Sequence, residues 1–125
     1  MIIDASALLA MLQGEAGGEQ VETVLSSSAI SAINWSEVIQ KLLRYDTNAA
    51  ILCADLLLIG LKVIPFDLNQ AEQAAKLWLP NQHLGLSLAD RACLQLGLQS
   101  GKTILTADKA WANIKNQHIK IKLIR

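Results

Sequence analysis

The sequence predicts an α/β fold, a mainly parallel sheet covered on both faces by helices. Two observations predict it. Short β-branched runs alternate along the chain with longer segments of helical periodicity. Strands separated by helices need crossover connections, which make neighbouring strands parallel and cover both faces. The 125 residues are 52% hydrophobic and 18% charged, enough apolar surface for one packed core and too little charge for a disordered chain. One domain over residues 1–125 is expected, and no repeat at a solenoid period is present.

Each element has its own signal. Ile2-Ile3 reads as a first strand ending at Asp4-Ala5, and Ser6 to Gln13 as a helix closed by Gly14. Gly17 to Leu25 reads as a second helix, with Val21, Val24 and Leu25 on one face. Ala29-Ile30-Ser31 is a short strand, followed by a helix from about Trp35 to Arg44. Thr47 to Gly60 is strongly helical, with Gly60 as its stop. Lys62 to Pro65 is a strand whose proline suits an end or an edge position. Asn69 is the expected cap of a helix through Trp78, stopped by Pro80. Ser87 is the cap of another running to about Gln99, stopped by Gly101. Thr103 to Leu105 is a strand, Ala107 to Asn113 a short helix, and Ile119 to Ile124 a last strand with Lys120 and Lys122 outward.

No apolar run reaches the ~18 residues that span a bilayer, because Asp4, Asp55 and Lys62 interrupt the best candidates. The start lacks the basic region of a signal peptide, so a cytoplasmic location and no membrane partner are expected. Cys53 and Cys93 lie in apolar helical patterns without metal-type spacing, and read as small buried hydrophobes. Formal net charge is zero, but unevenly distributed. Residues 1–40 hold five acids and no Lys or Arg, whereas residues 101–125 hold six bases against Asp108 alone. A basic end of this kind suits either a polyanion or plain solvation.

In open parallel sheets, sites form beyond the carboxyl ends of the strands. Four acids fall there. Asp4 ends the first strand, Glu37 follows the second, Asp108 comes three residues after Leu105, and Asp90 is in the first turn of the Ser87 helix. Singly, each is explained as a helix cap or part of a capping box, and Glu37 also as the partner of Lys41 at i+4. Together, carboxylates converging without bases repel one another, and a hard divalent cation resolves that conflict. Such an ion binds a phosphate oxygen, activates a water and stabilises the leaving oxygen. The four acids could support one ion or two.

Four segments in order resemble the PIN-domain ribonucleases, in particular the VapC-type toxins of bacterial toxin–antitoxin pairs. They are Ile3-Asp4-Ala5-Ser6-Ala7-Leu8, Ile33-Asn34-Trp35-Ser36-Glu37-Val38, Gly85 to Leu94 around Ser87-Leu88-Ala89-Asp90-Arg91, and Ile104-Leu105-Thr106-Ala107-Asp108-Lys109-Ala110-Trp111. The resemblance spans nearly the whole chain. It implies a PIN-like three-layer α/β/α sandwich and metal-dependent hydrolysis of RNA, with Mg²⁺ or Mn²⁺ as cofactor. By that similarity Asp4, Glu37, Asp90 and Asp108 would hold the metal, with Ser6 and Thr106 as supporting polar groups. The implied partners are an RNA substrate, a small antitoxin and a second copy of the toxin. Many relatives carry a further acid two positions after Asp108, where this chain has Ala110, which puts a second tightly held ion in doubt.

Arg91 reads either as a phosphate contact or as a helix-surface ion pair. His83 and His118 stand in loop and pre-strand contexts and are not expected to act in catalysis. Trp35, Trp78 and Trp111 could stack on bases, though helical tryptophans more often pack against a core or a partner. The helix around Ile51 and Leu56 to Ile59 is apolar over much of its surface, which favours a dimer. A haloacid-dehalogenase phosphatase would want a second Asp where Ser6 stands, and a response-regulator receiver an acidic pair that is absent. The non-enzyme alternative is a degenerate PIN module that binds RNA or protein without cutting.

Overall fold

The computed structural model describes residues 1–45 and 48–125. Its strands are β1 (Ile2–Ile3), β2 (Ala29–Ser31), β3 (Lys62–Ile64), β4 (Ile104–Thr106) and β5 (Ile121–Leu123). They form one sheet in the order β3-β2-β1-β4-β5, parallel at every neighbouring pair. The helices are α1 (Ala5–Leu12), α2 (Gly18–Val24), α3 (Ala32–Arg44), α4 (Ala49–Ile59), α5 (Leu68–Lys76) and α6 (Leu88–Ser100). Three 3₁₀ segments, Leu25–Ser27, Leu79–Leu84 and Lys109–Asn113, complete the order.

Period-2 alternation in strands of two or three residues is enough to build two cores. Ile3, Ile30 and Leu105 pack on one face of the sheet with Leu8, Leu9, Val21, Val38, Leu42 and Leu56. Ile2, Ala29 and Ile104 pack on the other with Leu77, Cys93, Leu94, Leu96 and Trp111. One face is therefore covered mainly by α1 to α4 and the other by α5 and α6, which is the expected three-layer α/β/α sandwich. Pro65 follows β3 at the sheet edge, where no ladder donor is lost.

Boundaries differ from the expected ones for local reasons. Helix α3 starts at Ala32 rather than near Trp35, because Ser31 is both the last residue of β2 and the cap, accepting from the Ile33 amide. Asp67, not Asn69, caps α5, through a reciprocal capping box with Gln70. That helix ends at Lys76, and Trp78 is half-exposed beyond it. The 109–113 segment is a 3₁₀ turn rather than an α-helix, and β5 omits Lys120. The expected start of α4 at Thr47 lies outside the described residues; Asn48 caps the helix, accepting from Ile51 N–H. Ser87 caps α6 and Gly101 ends it, as expected.

Helices α1 and α2 are joined by a turn that lies against the C-terminal segment. Gly17 has φ 88°, and a Cβ there would lie 2.2 Å from the Ile124 carbonyl oxygen. Gly17→Ala therefore adds a backbone clash to a left-handed conformation that Ala disfavours. It is expected to destabilise the protein by about 3 kcal/mol or more, read as the shift of a urea-unfolding midpoint. An unshifted midpoint would show that the 14–17 turn relaxes freely.

Candidate active site

Strand β1 lies at the centre of the sheet. The chain moves outward from it to β2 and β3, then returns to its other side for β4 and β5. The crevice beyond the carboxyl ends of β1 and β4 is thus the point at which strand order reverses. Asp4 leaves β1 there in extended conformation and caps α1, accepting from the Ser6 amide. Capping and site membership coincide in this residue.

Asp4 is 4% exposed. Its oxygen Oδ2 also accepts from the Ser6 hydroxyl and from the Thr106 hydroxyl, the latter at 2.9 Å. Ser6 Oγ in turn accepts from Ala107 N–H at 2.9 Å, and Thr106 Oγ1 from Asp108 N–H at 3.1 Å. Two hydroxyls thus tie the end of β4 to the end of β1. All three donors converge on Oδ2, and no donor among the described residues reaches Oδ1. Burial pushes the Asp4 carboxyl up to about 6; the Ser6 and Thr106 hydrogen bonds oppose the rise, and the negative charges of Asp90 and Glu37 add to it.

Asp90 is half-buried in the first turn of α6. Its Oδ2 accepts from Ser87 N–H at 2.9 Å while its own N–H donates to Ser87 Oγ at 3.0 Å. The expected capping box is therefore formed, and one oxygen of Asp90 serves it. Glu37 lies on α3 with Lys41 Nζ 3.8 Å from Oε1, a long, solvent-exposed pair worth little. Cys93, one turn after Asp90 and wholly buried, reports the same convergence. Its thiol is pushed well up by burial first, then by the charges of Asp4, Asp90 and Glu37. Asp108 is exposed, caps its 3₁₀ turn through Ala110 N–H, and exerts none of these effects. The fold brings Asp4, Glu37 and Asp90 within electrostatic reach and leaves Asp108 joined to them through Thr106.

Among the described residues no three His, Cys, Asp or Glu side chains stand close enough to enclose an ion. The donor chemistry nevertheless suits a hard divalent cation: oxygen ligands, one of them a buried carboxylate that has, among the described residues, no basic partner and one uncommitted oxygen. The present hydrogen bonds of Asp90 and Asp108 are caps that an ion would compete with, not buried ion pairs.

Arg91 makes no ion pair among the described residues. Its Nη1 donates to the Ala74 carbonyl near the end of α5 at 3.2 Å, a contact that packs α6 on α5. His83 and His118 are both exposed. Of the tryptophans, Trp111 is buried in the core on the α5–α6 face, Trp35 packs partly against the core on the opposite face, and Trp78 is half-exposed. One contributor escapes sequence reasoning, Asn34. It is fully buried on α3, and Nδ2 donates to the Ala89 carbonyl at 3.0 Å, fastening the helix of Glu37 to the helix of Asp90. A contact between residues 55 apart leaves no local signal. The Lys residues at 102, 109, 115, 120 and 122 are exposed, while Arg125 is engaged with Glu15 at 2.6 Å.

The family model of the PIN domain matches residues 1–117, all but the last eight positions. The chain belongs to the PIN domain family. Solved structures agree on the fold of this PIN domain. A toxin–antitoxin complex from Klebsiella pneumoniae is 23% identical, over 96% of this chain and 98% of that one, with a TM-score of 0.71. FitAcB from Neisseria gonorrhoeae is 16% identical, over 96% and 94%, with a TM-score of 0.73. VapBC2 from Rickettsia felis, solved with a DNA fragment from its promoter, is 15% identical, over 98% and 96%, with a TM-score of 0.71. No curated protein matches the sequence. Among the described residues no helix of this PIN domain is long and apolar enough to cross a membrane.

Proposed function

We propose that this PIN domain is an endoribonuclease dependent on Mg²⁺ or Mn²⁺, acting as the toxin of a toxin–antitoxin pair. The observation that carries the reading is Asp4: a buried carboxylate with no cationic partner among the described residues, at the switch point of the sheet, facing the charges of Asp90 and Glu37. An arrangement that raises a carboxyl to about 6 is unfavourable for the fold alone and makes sense as a cation site. Asp4, Glu37, Asp90 and Asp108 are the residues that would hold the ion.

The chain's own groups have separable tasks. Ser6 and Thr106 fix the Asp4 carboxylate through Oδ2, so that Oδ1 is held ready. Asn34 keeps α3 and α6 in register, and with them Glu37 and Asp90. Divalent metal, when bound, would supply Lewis-acid activation of the phosphodiester and of the attacking water. The exposed lysines after residue 101 would lie along RNA backbone, which makes binding salt-sensitive.

The test is cleavage of single-stranded RNA by the purified protein. Cleavage with Mn²⁺ or Mg²⁺ that stops in excess EDTA is the expected outcome. RNA bound but left intact under both conditions would favour the degenerate, non-catalytic module.

The similarity to toxin–antitoxin complexes supports an antitoxin partner and a cytoplasmic setting for this chain as part of the same proposal. A homodimer is proposed from α4. Ile51, Leu57 and Ile59 are about half exposed and Leu58 is 87% exposed, so one helix presents four large apolar side chains to water. Leu58→Glu is expected to convert a dimer to a monomer in sedimentation at micromolar concentration. A wild-type protein that sediments as a monomer would refute this part.

A further inference from the structure

A cleft of about 430 Å³ opens between α3 and the start of α6. It is lined by Ile33, Ser36, Glu37 and Gln40 on one side and by Ser87, Leu88 and Ala89 on the other. The α3 residues recur at i, i+3, i+4 and i+7, so they form one face of that helix. Glu37 is shared: it bounds this cleft and also acts on Asp4 and Cys93 within the acidic site. The cleft therefore shares Glu37 with the place at which a phosphodiester would be cut, and Ala89 in its wall adjoins Asp90 in the chain.

Its chemistry selects among nucleotide parts. None of the seven lining residues is basic and one is an acid, so a phosphate group is disfavoured inside it. Ile33 and Leu88 offer apolar surface from opposite helices, and Leu88 is 51% exposed although it begins a helix whose next turns are core. Ser36, Gln40 and Ser87 add hydroxyl and carboxamide groups that both donate and accept. Apolar walls with a few neutral hydrogen-bonding groups at the margin are what an unstacked base requires.

We infer that this cleft is a subsite for one unpaired RNA base next to the scissile bond, with the base between Ile33 and Leu88 and its edge read by the Gln40 carboxamide. A planar carboxamide reads adenine bidentately, accepting from the exocyclic amine and donating to the ring nitrogen. Adenine is therefore the expected base. The inference rests on the nuclease reading only for its link to cleavage, and binding tests it separately.

The experiment measures binding of fluorescein-labelled pentamers of A, C, G and U to the wild-type protein in EDTA by anisotropy. The pentamer of A is expected to bind about 10-fold tighter than the others. Gln40→Leu is expected to erase that preference, and Leu88→Ala to weaken all four. Circular dichroism confirms that each variant is folded; both positions are exposed. Equal affinities in the wild type, no binding, or an unchanged preference in Gln40→Leu would each overturn the subsite. Cleavage with Mn²⁺ is scored on the same pentamers. Base-selective binding without cleavage removes the nuclease reading and keeps the subsite; cleavage without base selectivity does the reverse.

Discussion

Asp4→Asn is expected to lower metal-dependent RNA cleavage by more than about 100-fold, the upper end of what losing even an outer hydrogen bond around a metal causes. The same change is expected to stabilise the metal-free protein at pH 7. Burial raises the Asp4 carboxyl from 3.8 to about 6, a difference of about 2 units. At about 1.36 kcal/mol per unit, the ionised side chain costs the native state roughly 3 kcal/mol at neutral pH. An amide oxygen can still accept from Ser6 and Thr106, so the hydroxyl network survives without the charge. Activity and stability should therefore move in opposite directions, a combination that a purely structural cap would not produce. Cleavage rate and urea unfolding of the same variant check both halves. An Asp4→Asn variant that is less stable and fully active would refute the account.

The stability of the metal-free protein should also depend on pH with a sign opposite to that of a salt-bridged carboxylate. Because the folded-state value lies above the unfolded one, the native state holds the proton more tightly between the two. The contribution of Asp4 is therefore fully favourable below about pH 4. It is lost as pH rises through about 6. Unfolding in EDTA at about pH 4.5 and 7.5, compared between the wild type and Asp4→Asn, isolates this residue from the other acids. The wild type is expected to lose roughly 2 kcal/mol more than the variant over that interval. Mn²⁺ at about 100 times its dissociation constant should restore about 2.7 kcal/mol at the higher pH. Parallel pH slopes in the two proteins would show that Asp4 is not desolvated as described.

The parts of this fold that announce themselves locally are legible in the sequence. Alternating β-branched runs and helical patterns point to five strands in a mainly parallel sheet, and Ser87 with Gly101 bounds α6 correctly, because caps and stops are short-range physics. Boundaries slip where two signals overlap. Ser31 ends a strand and caps a helix at once, so the Asn34-to-Glu37 spacing imitates a helix start inside α3. Asp67 and Gln70 form the box, two residues before the cap expected at Asn69. For the site, residue spacing and resemblance point to Asp4, Glu37, Asp90 and Asp108, with Lys41 and Ala110 marking Glu37 and Asp108 as the looser members. The three-dimensional arrangement adds the burial and charge coupling that set Asp4 apart from the exposed Asp108. Asn34 and the position of Cys93 beneath the acids depend on α6 meeting α3, a contact between distant parts of the chain that no local pattern encodes.

The central claim is that a divalent cation binds where Asp4 is buried among acids, and calorimetric titration with Mn²⁺ tests it most directly. The wild-type protein should bind Mn²⁺ with saturable heat at about pH 6, releasing about half a proton as Asp4 ionises fully, while Asp4→Asn should show no saturable binding. Identical isotherms for the two proteins, or no binding to either, would contradict it.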